Sequence, residues 1–551
     1  FDGMGYENLA PEDPDAFGEL REAVHSGLIE PVGCSYGQPY GQFHGGESNI
    51  RQRVYGVRTV MRLLGVRPRT FWEEEFDFFP QLPQVLAGVG ITGASLFFQW
   101  TWHTPELPRE DVPTIMWEGL DGTRLPAATR NQLNLHQWPE DMDAVFAELA
   151  RTKARPGADA QPLLLQWLEL MPSPDWMCRA ELILPKLRAL LADPQIEVVP
   201  CTLGEYLASS AEHAPPVRRY APDETWHGLS LGKNGDDMRR RSIAAENELL
   251  AAETLATIMS AFGRPYAQWD VYPVWELEEA WRELLSAQHH DNDECEGLCG
   301  HIGKLSYDRS IGLSGHVLEA NLRLLSRRIA AEEGSVVVYN PLGWERCDTL
   351  AEPASGRLVV ARDVPSMGFR AYRPEELVPK TPCWNVCDNG AELARGERGS
   401  LACSVLRTGQ VLIEGSAICP TISFPGLAIE GCRESEEGDL VVSLGGAAGT
   451  MEAWLKLPGD VAALDITLKC RTMRRPDPGF AGAMYMEFDS VRGEMPELLQ
   501  ADHPYGVSQV GQGAKGVRKY PEGDWMTSPQ WFEQVEGAFT CSTFLNLPGL
   551  D

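Results

Sequence analysis

The chain has 551 residues, which is more than one ordinary domain holds, so we expect two to four domains. Its formal net charge of −31 argues against a phosphate-binding surface, and the sequence contains no basic patch of the kind that nucleic acids require. No run of about 18 or more apolar residues occurs, so we predict no membrane-spanning segment and no membrane partner.

Residues 1 to about 205 alternate short apolar runs with amphipathic stretches. Helices are predicted over Glu47–Gly65 and Pro80–Gly90. The apolar runs predicted as strands begin at Ile29, Arg69, Ile91, Pro162 and Ile196. Continuous apolar strands separated by helices indicate βαβ units and a mostly parallel sheet, here a barrel-like (β/α) domain. In such sheets ligands bind at the carboxyl ends of the strands.

The pattern becomes helical from about residue 206 to 330. One predicted helix repeats apolar residues at the spacing i, i+3, i+4 and i+7, namely Leu255, Ile258, Met259 and Phe262. A second helix repeats the spacing through Trp281, Leu284 and Leu285. From residue 331 on, β-branched runs punctuated by Gly, Pro and Asn are typical of an antiparallel β-sandwich. We therefore predict an α/β domain over 1–205, a helical bundle over 206–330 and a sandwich over 331–551.

An acidic run between Phe71 and Pro80 places four carboxylates among five aromatic side chains. On a strand, Glu73 and Glu75 point to one face and Glu74 to the other. Burying several like charges is costly unless something neutralises them. A surface acidic patch is the alternative, but the aromatic flanks favour a functional site at a strand end.

The densest group of potential metal ligands lies at residues 287–301 and includes the sequence His289-His290-Asp291. Two histidines and an aspartate at a helix end suit a divalent metal. The alternative is capping, because histidines near a helix C-terminus interact favourably with the helix dipole. The spacing alone does not decide between the two.

Two further segments carry reactive groups. Asp223 precedes Trp226 in a polar, glycine-containing loop, where a carboxyl could act as a general acid, although such loops are usually turns. Glu47-Ser48 looks like the start of a helix. Capping does not explain why Arg51-Gln52 follow one turn later.

Six segments of the chain follow the motifs of one known family. In chain order they are Gly27–Arg69, Thr114–Leu125, Asp223–Glu253, Leu284–Asp291, Val336–Asp348 and Val364–Tyr372. Together they resemble the α-mannosidases of glycoside hydrolase family 38, in which the segments have the same order. The resemblance covers nearly the whole chain, and its most specific segment is the helix end Leu284–Asp291.

The resemblance implies a retaining glycosidase with a divalent metal, zinc, at its active site. His290 falls on a metal ligand, and Asp291 falls on a contact to sugar hydroxyls. The family's nucleophile falls on Glu75 when counted from Pro68 and Trp72. Counting back from the next helix gives Glu74, which we place beside the substrate.

The acid/base residue of the family falls on Asp223, ahead of a Trp-x-Gly step that makes Trp226 a substrate contact. Three departures from the family pattern stand out. Glu75 replaces the nucleophilic Asp, and the family's His-x-Asp metal motif would lie before Phe1. Gln38 and Tyr40 occupy two positions where the family has carboxylates.

We therefore predict a metal-dependent retaining glycoside hydrolase acting on an α-linked sugar. Two alternatives stay open: a catalytically silent homologue that binds carbohydrate, and a hydrolase of a different glycoside. Because the chain begins at Phe1, we read it as a segment of a longer protein, so its compartment stays open. The 13 cysteines lack framework spacing and are expected to be free thiols, and assembly into a homo-oligomer also stays open.

Overall fold

The structure is a computed structural model. It describes residues 2–33, 35–72, 78–96, 110, 112–129, 133–135, 147, 165–167, 185, 188–194, 197–221, 235–262, 272–294, 298–379, 383–387, 391–398, 401–414, 420–436, 438–447, 449–457, 464–473, 487–490, 500–509 and 545–546.

The chain divides into two compact units. The first comprises Phe1–Leu249, Trp275–Leu313 and Leu499–Asn546, and the second comprises Leu250–Val274, Ser314–Leu498 and Leu547–Asp551. The three-domain division at residues 205 and 330 stays a prediction.

In the described part of the chain, the α-helices lie between residues 3 and 326. Their bounds are α1 Gly3–Glu12, α2 Pro14–His25, α3 Gly46–Leu64, α4 Leu82–Gly88, α5 Leu203–Ala211, α6 Gly235–Ala261, α7 Val274–Ala287, α8 His290–Glu294 and α9 Leu298–Ser326, with 3-10 turns at Gly41–Phe43 and Pro374–Glu376. The predicted apolar face of α7 is confirmed, because Trp281, Leu284 and Leu285 are all buried. The helical middle of the chain is as expected.

A parallel-rich sheet lies in the first unit. Its strands are β1 Thr70–Phe71, β2 Gly93–Ser95, β3 Thr114–Glu118, β4 Arg124–Ala128 and β7 Val217–Arg218, in the order β1-β2-β4-β3-β7. Three of its pairings are parallel, and β3 with β4 is antiparallel. A separate parallel pair joins β5 Leu133–Leu135 to β6 Leu165–Trp167. The prediction of a mostly parallel sheet is confirmed, while its closure into a barrel stays a prediction.

The aromatic residues at both ends of the acidic run lie in the core of this unit. Phe71, Phe78 and Phe79 are almost fully buried, and the Phe78 ring stacks on Trp117 with centroids 5.2 Å apart. Strand β1 ends at Phe71, two residues before the first carboxylate, Glu73. The acidic run therefore follows a buried strand end, as the sequence predicts.

One predicted strand is wrong, and a second is reduced to an isolated bridge. Residues 197–200 form no strand, and Val199 is 67% exposed, because this segment pairs with no sheet edge in the described chain. The run from Ile29 contributes only a single parallel bridge, between Val32 and Thr70. Phe262, the last residue of the apolar helical spacing, lies one residue past the end of α6 and is 56% exposed.

The second unit is mainly antiparallel β-structure. Its strands are β8 Val336–Asn340, β9 Arg346–Ala351, β10 Leu358–Val364, β11 Gly368–Tyr372, β12 Val378–Pro379, β13 Trp384–Val386, β14 Glu392–Arg398, β15 Leu401–Leu406, β16 Gln410–Glu414, β17 Pro420–Ser423, β18 Leu427–Glu434, β19 Leu440–Gly446, β20 Gly449–Lys456, β21 Asp465–Met473 and β22 Glu487–Ser490. The six-stranded sheet β13-β14-β15-β16-β17-β22 and the four-stranded sheet β18-β19-β20-β21 share one apolar core. The predicted antiparallel C-terminal structure is confirmed.

A late hairpin belongs to the first unit. It consists of β23 Gln500–His503 and β24 Gly506–Gln509, and β25 Leu545–Asn546 pairs with β23. The Tyr505 ring at its tip lies against Gly46, where a side-chain carbon would come within 2.9 Å of the ring. Within the described residues, no helix is both long enough and apolar enough to cross a membrane.

Candidate active site

The His290 side chain is held by the backbone of the loop Ser35–Tyr40, which we call the site loop. Its Nδ1 lies 2.9 Å from the Gln38 carbonyl oxygen, and its backbone N–H donates to the same oxygen at 3.2 Å. A carbonyl oxygen can only accept, so Nδ1 carries a proton. In the neutral ring the lone pair is therefore on Nε2, which is the tautomer that binds a metal through Nε2.

His289 has a different hydrogen-bonding pattern. Its ring lies 4.2 Å from that of His290, centroid to centroid, and its Nδ1 accepts the backbone N–H of Asp291 at 3.1 Å. The proton of the neutral ring is then on Nε2, which faces the Asp2 carboxylate at 3.9 Å. His289 is thus a poorer metal ligand in this geometry than its neighbour.

The Asp291 carboxylate completes a group with the chemistry of a metal site. One of its oxygens lies 3.8 Å from His290 Nε2, and its side chain is half exposed. Ligand atoms of His289, His290 and Asp291 all lie within 4.8 Å of one another. Imidazole nitrogens with a carboxylate suit zinc. A ligating histidine that donates its other N–H to a carbonyl is the usual supporting arrangement. The residues present therefore fit a divalent metal.

The end of helix α7 is capped by another residue. The Asn292 amide donates to the carbonyl oxygens of Ser286 and Ala287, at 3.3 and 3.0 Å. His290 instead bonds to the site loop. Helix capping therefore does not account for the position of His290.

Asp2 belongs to the same cluster and was missed from the sequence. It is 7% exposed, and burial raises the pKa of its carboxyl, while the nearby His289 lowers it. One of its oxygens accepts the Gly5 backbone N–H at 2.5 Å and caps helix α1. From the sequence, an aspartate before a helix indicates only a cap, and nothing local indicates that it faces His289.

Unsatisfied amide groups lie in and next to the site loop. The Gln38 side-chain oxygen and both polar atoms of Gln42 are buried without hydrogen-bond partners in the described structure, and Gln42 is 2% exposed. Gln38 also has a left-handed backbone, with φ of 46°. Buried polar groups without partners are rare and costly. Amides that both donate and accept are suited to sugar hydroxyls.

A buried glutamate caps helix α3 from a distant part of the chain. Helix α3 has Gly45 at its N-cap, which provides no side-chain cap. The Glu246 carboxylate instead accepts Ser48 Oγ–H at 2.5 Å and the backbone N–H groups of Glu47 and Ser48. A side chain at Gly45 would collide with this carboxylate, at 2.3 Å. These donors and the helix N-terminus favour the ionised carboxylate, but burial outweighs them and raises the pKa of the Glu246 carboxyl.

Replacing Glu246 with glutamine should change the pH dependence of stability. Burial raises the pKa of the Glu246 carboxyl above its ordinary 4.5, so folding favours the protonated form. The protonated Glu246 carboxyl therefore stabilises the fold below pH 4.5, and this stabilisation is lost as the pH rises through the folded pKa of Glu246. The free energy of unfolding of the wild type minus that of Glu246→Gln should therefore fall as the pH rises from 4.5 through the folded pKa of Glu246. Denaturant titrations measure it, with the exposed Glu12→Gln as control. A difference in unfolding free energy that does not change with pH would contradict the raised pKa of Glu246.

Residues 6–157 match the glycosyl hydrolases family 38 N-terminal domain. Alpha-mannosidase 2C1 of Homo sapiens is 24% identical over 547 residues, covering 93% of this chain and 48% of the relative. Alpha-mannosidase G of Dictyostelium discoideum is 31% identical over 134 residues, or 23% of this chain and 12% of the relative. The chain is a distant homologue of the α-mannosidases. It spans about half the length, or less, of the curated relatives that it matches.

The same relationship appears in the fold. An α-mannosidase from Enterococcus faecalis superposes with a TM-score of 0.63 at 12% identity, over 94% of this chain and 73% of that one. At this identity the likeness supports the family-38-like fold alone. In our chain, an α/β region is followed by helices and then by antiparallel sheets, and this order agrees with the prediction from the sequence.

The structure describes only some of the predicted site residues of our chain. His290 and Asp291 are adjacent, as described above. Glu74, Glu75, Asp223 and Trp226 lie outside the described residues, in the segments 73–77 and 222–234. Their roles stay predictions.

Proposed function

We propose that this protein is a metal-dependent retaining glycoside hydrolase that cleaves an α-linked mannoside. The observation that carries the proposal is the tautomer of His290, fixed by the Gln38 carbonyl, with the Asp291 carboxylate 3.8 Å from its Nε2. This arrangement suits a metal ligand next to a sugar-binding carboxylate. Distant homology to α-mannosidases supports the choice of substrate class.

His290 would bind the metal through Nε2, and Asp291 would contact sugar hydroxyls beside it. A bound zinc ion would supply positive charge that polarises the sugar oxygens and offsets the carboxylates of the acidic run. The unsatisfied Gln38 Oε1 and the two unsatisfied amide atoms of Gln42 would form hydrogen bonds with hydroxyl groups or ordered water.

Two carboxyl groups would carry out the reaction. Glu75 attacks the anomeric carbon and forms a glycosyl-enzyme, while Asp223 donates a proton to the departing glycosidic oxygen. Asp223 then removes a proton from water, which attacks the anomeric carbon and releases Glu75 as a carboxylate. Two displacements retain the anomeric configuration.

A catalytically silent carbohydrate-binding homologue is the second candidate. The specific observation in its favour is the uncharged pair Gln38 and Tyr40, together with Glu75 at the position of an aspartate. The longer side chain moves a nucleophilic carboxylate by about 1.5 Å. Retaining enzymes hold their two carboxyl groups about 5 Å apart, so this shift is large enough to matter.

A panel of nitrophenyl glycosides tests the proposal on the zinc-supplemented full-length protein. We expect the α-mannoside to be hydrolysed faster than the α-glucoside, the α-galactoside and the β-mannoside. Proton NMR should detect the α-anomer of mannose before mutarotation. Preference for another sugar would favour the different-glycoside alternative, and the β-anomer as first product would exclude a retaining mechanism.

A further inference from the structure

The Gln52 side chain joins two backbone segments that meet at the candidate site. Its carbonyl oxygen Oε1 accepts the Gly37 N–H at 2.8 Å, and its Nε2 donates to the Leu285 carbonyl oxygen at 2.8 Å. Gln52 is fully buried in helix α3. One carboxamide therefore ties the site loop to the last turn of α7, and this gives Gln52 a role that helix capping does not explain.

The site loop and α7 are in direct backbone contact. A side-chain carbon at Gly37 would lie 2.4 Å from the Leu285 carbonyl oxygen, so only glycine fits there. The next residue, Gln38, provides the carbonyl that receives both the backbone N–H and Nδ1–H of His290. The hydrogen bond to the Gly37 N–H is thus one residue before the Gln38 carbonyl that fixes the His290 ring.

A buried network holds Gln52 in place. Its Nε2 also lies 3.2 Å from Gln288 Oε1, and Gln288 donates to Ser48 Oγ and Ser242 Oγ, both at 2.9 Å. Ser48 in turn donates to Glu246. The network therefore anchors the site loop to α3, α6 and α7 together.

We propose that Gln52 is a positioning residue that holds the Gly37–Gln38 backbone so that His290 keeps its Nδ1–H tautomer and presents Nε2 to a divalent metal. The proposal rests on the metal site proposed above. Gln52 touches neither metal nor substrate and acts through the Gln38 carbonyl. Its loss would let the carbonyl turn away and release the imidazole. Residues that support a metal ligand in this way typically change metal affinity about 10–100-fold.

Three variants of the full-length protein separate positioning from general stability. Gln52→Met keeps the volume and removes every hydrogen bond. Gln52→Glu, as a neutral acid, keeps an acceptor for Gly37 and one donor. Asn49→Ala is the matched control, because Asn49 is one turn earlier on α3 and equally buried, but binds the carbonyls of Gly41, His44 and Gly45 instead. Denaturant unfolding of each variant measures its stability.

The first readout is zinc affinity by competition with a chromophoric chelator. We expect Gln52→Met to bind zinc about 10–100-fold more weakly and Asn49→Ala to stay within about threefold. Gln52→Glu should lie between these two, because it keeps the bond to Gly37 and only one donor. Equal affinities for Gln52→Met and Asn49→Ala at similar stability would overturn the proposal. If Gln52→Met fails to fold, Gln52→Glu against Asn49→Ala decides by the same criterion, because losing one donor should still weaken zinc binding more than the control.

The second readout needs neither metal nor activity. Isotope-labelled histidine in the metal-free protein should give a protected imidazole N–H resonance for His290 Nδ1, assigned by its loss in His290→Gln. It should disappear or exchange faster in Gln52→Met and persist in Asn49→Ala. Persistence in Gln52→Met would overturn the proposal. This signal is informative even if the wild type binds no zinc or hydrolyses no glycoside, so the two failures are distinguishable.

Discussion

Glu75→Gln should lower kcat on nitrophenyl α-D-mannoside by at least about 10³-fold, because a neutral amide cannot attack the anomeric carbon. The change keeps the shape of the side chain and removes one charge from a run of like charges. The free energy of unfolding should therefore stay the same or rise. Steady-state kinetics and a denaturant titration on the same preparation measure both quantities.

Glu74→Gln is the matched control for this substitution. It removes the same charge one residue earlier, and in the extended run predicted from the sequence the two side chains would point to opposite faces. We expect a much smaller loss of kcat, with an effect mainly on KM if Glu74 contacts the substrate. A large loss of kcat in Glu74→Gln, together with an active Glu75→Gln, would assign the role of nucleophile to Glu74. Full activity in both variants would remove the acidic run from the reaction.

His290→Ala should weaken zinc binding by more than about 100-fold and remove activity with it, because it deletes the proposed ligand, whose Nε2 faces Asp291. Competition with a chromophoric chelator measures the affinity, and kinetics at saturating zinc measures turnover. Added zinc should restore little activity in this variant.

His289→Ala is the comparison that makes the result specific. The two rings are adjacent, but His289 Nδ1 already accepts the Asp291 N–H, so we expect its removal to weaken zinc binding within about tenfold. Equal losses in both variants would show that the pair acts together. Unchanged zinc affinity in His290→Ala would contradict the proposed metal site.

Local sequence patterns predicted the elements that carry the site. The amphipathic stretch from Glu47 forms α3, and the apolar spacing through Trp281 forms α7, ending just before the two histidines. These succeed because periodicity and capping depend on neighbours within a few residues. The prediction of a strand from Ile196 is wrong because a strand depends on more than its own residues. A strand needs a free sheet edge, and sequence alone does not locate one.

Other residues that support the candidate site act through contacts with residues that are distant in the sequence. Glu246 caps α3 from 198 positions along the chain, and Gln52 bonds to Leu285 from 233 positions away. Each looks like an ordinary helix residue in its own segment. Asp2 likewise looks like a simple cap, although it faces His289. Only the tertiary arrangement brings these polar groups together, so hydrophobic patterning has no means of predicting them.

The most direct test of the central claim combines metal content and turnover on one preparation of the full-length protein. Zinc per chain is measured together with hydrolysis of nitrophenyl α-D-mannoside, before chelation, after chelation and after zinc is restored. The account predicts one zinc per chain, loss of hydrolysis on chelation and its return with zinc. One tightly bound zinc per chain with no hydrolysis in any state would contradict it and support a silent carbohydrate-binding homologue.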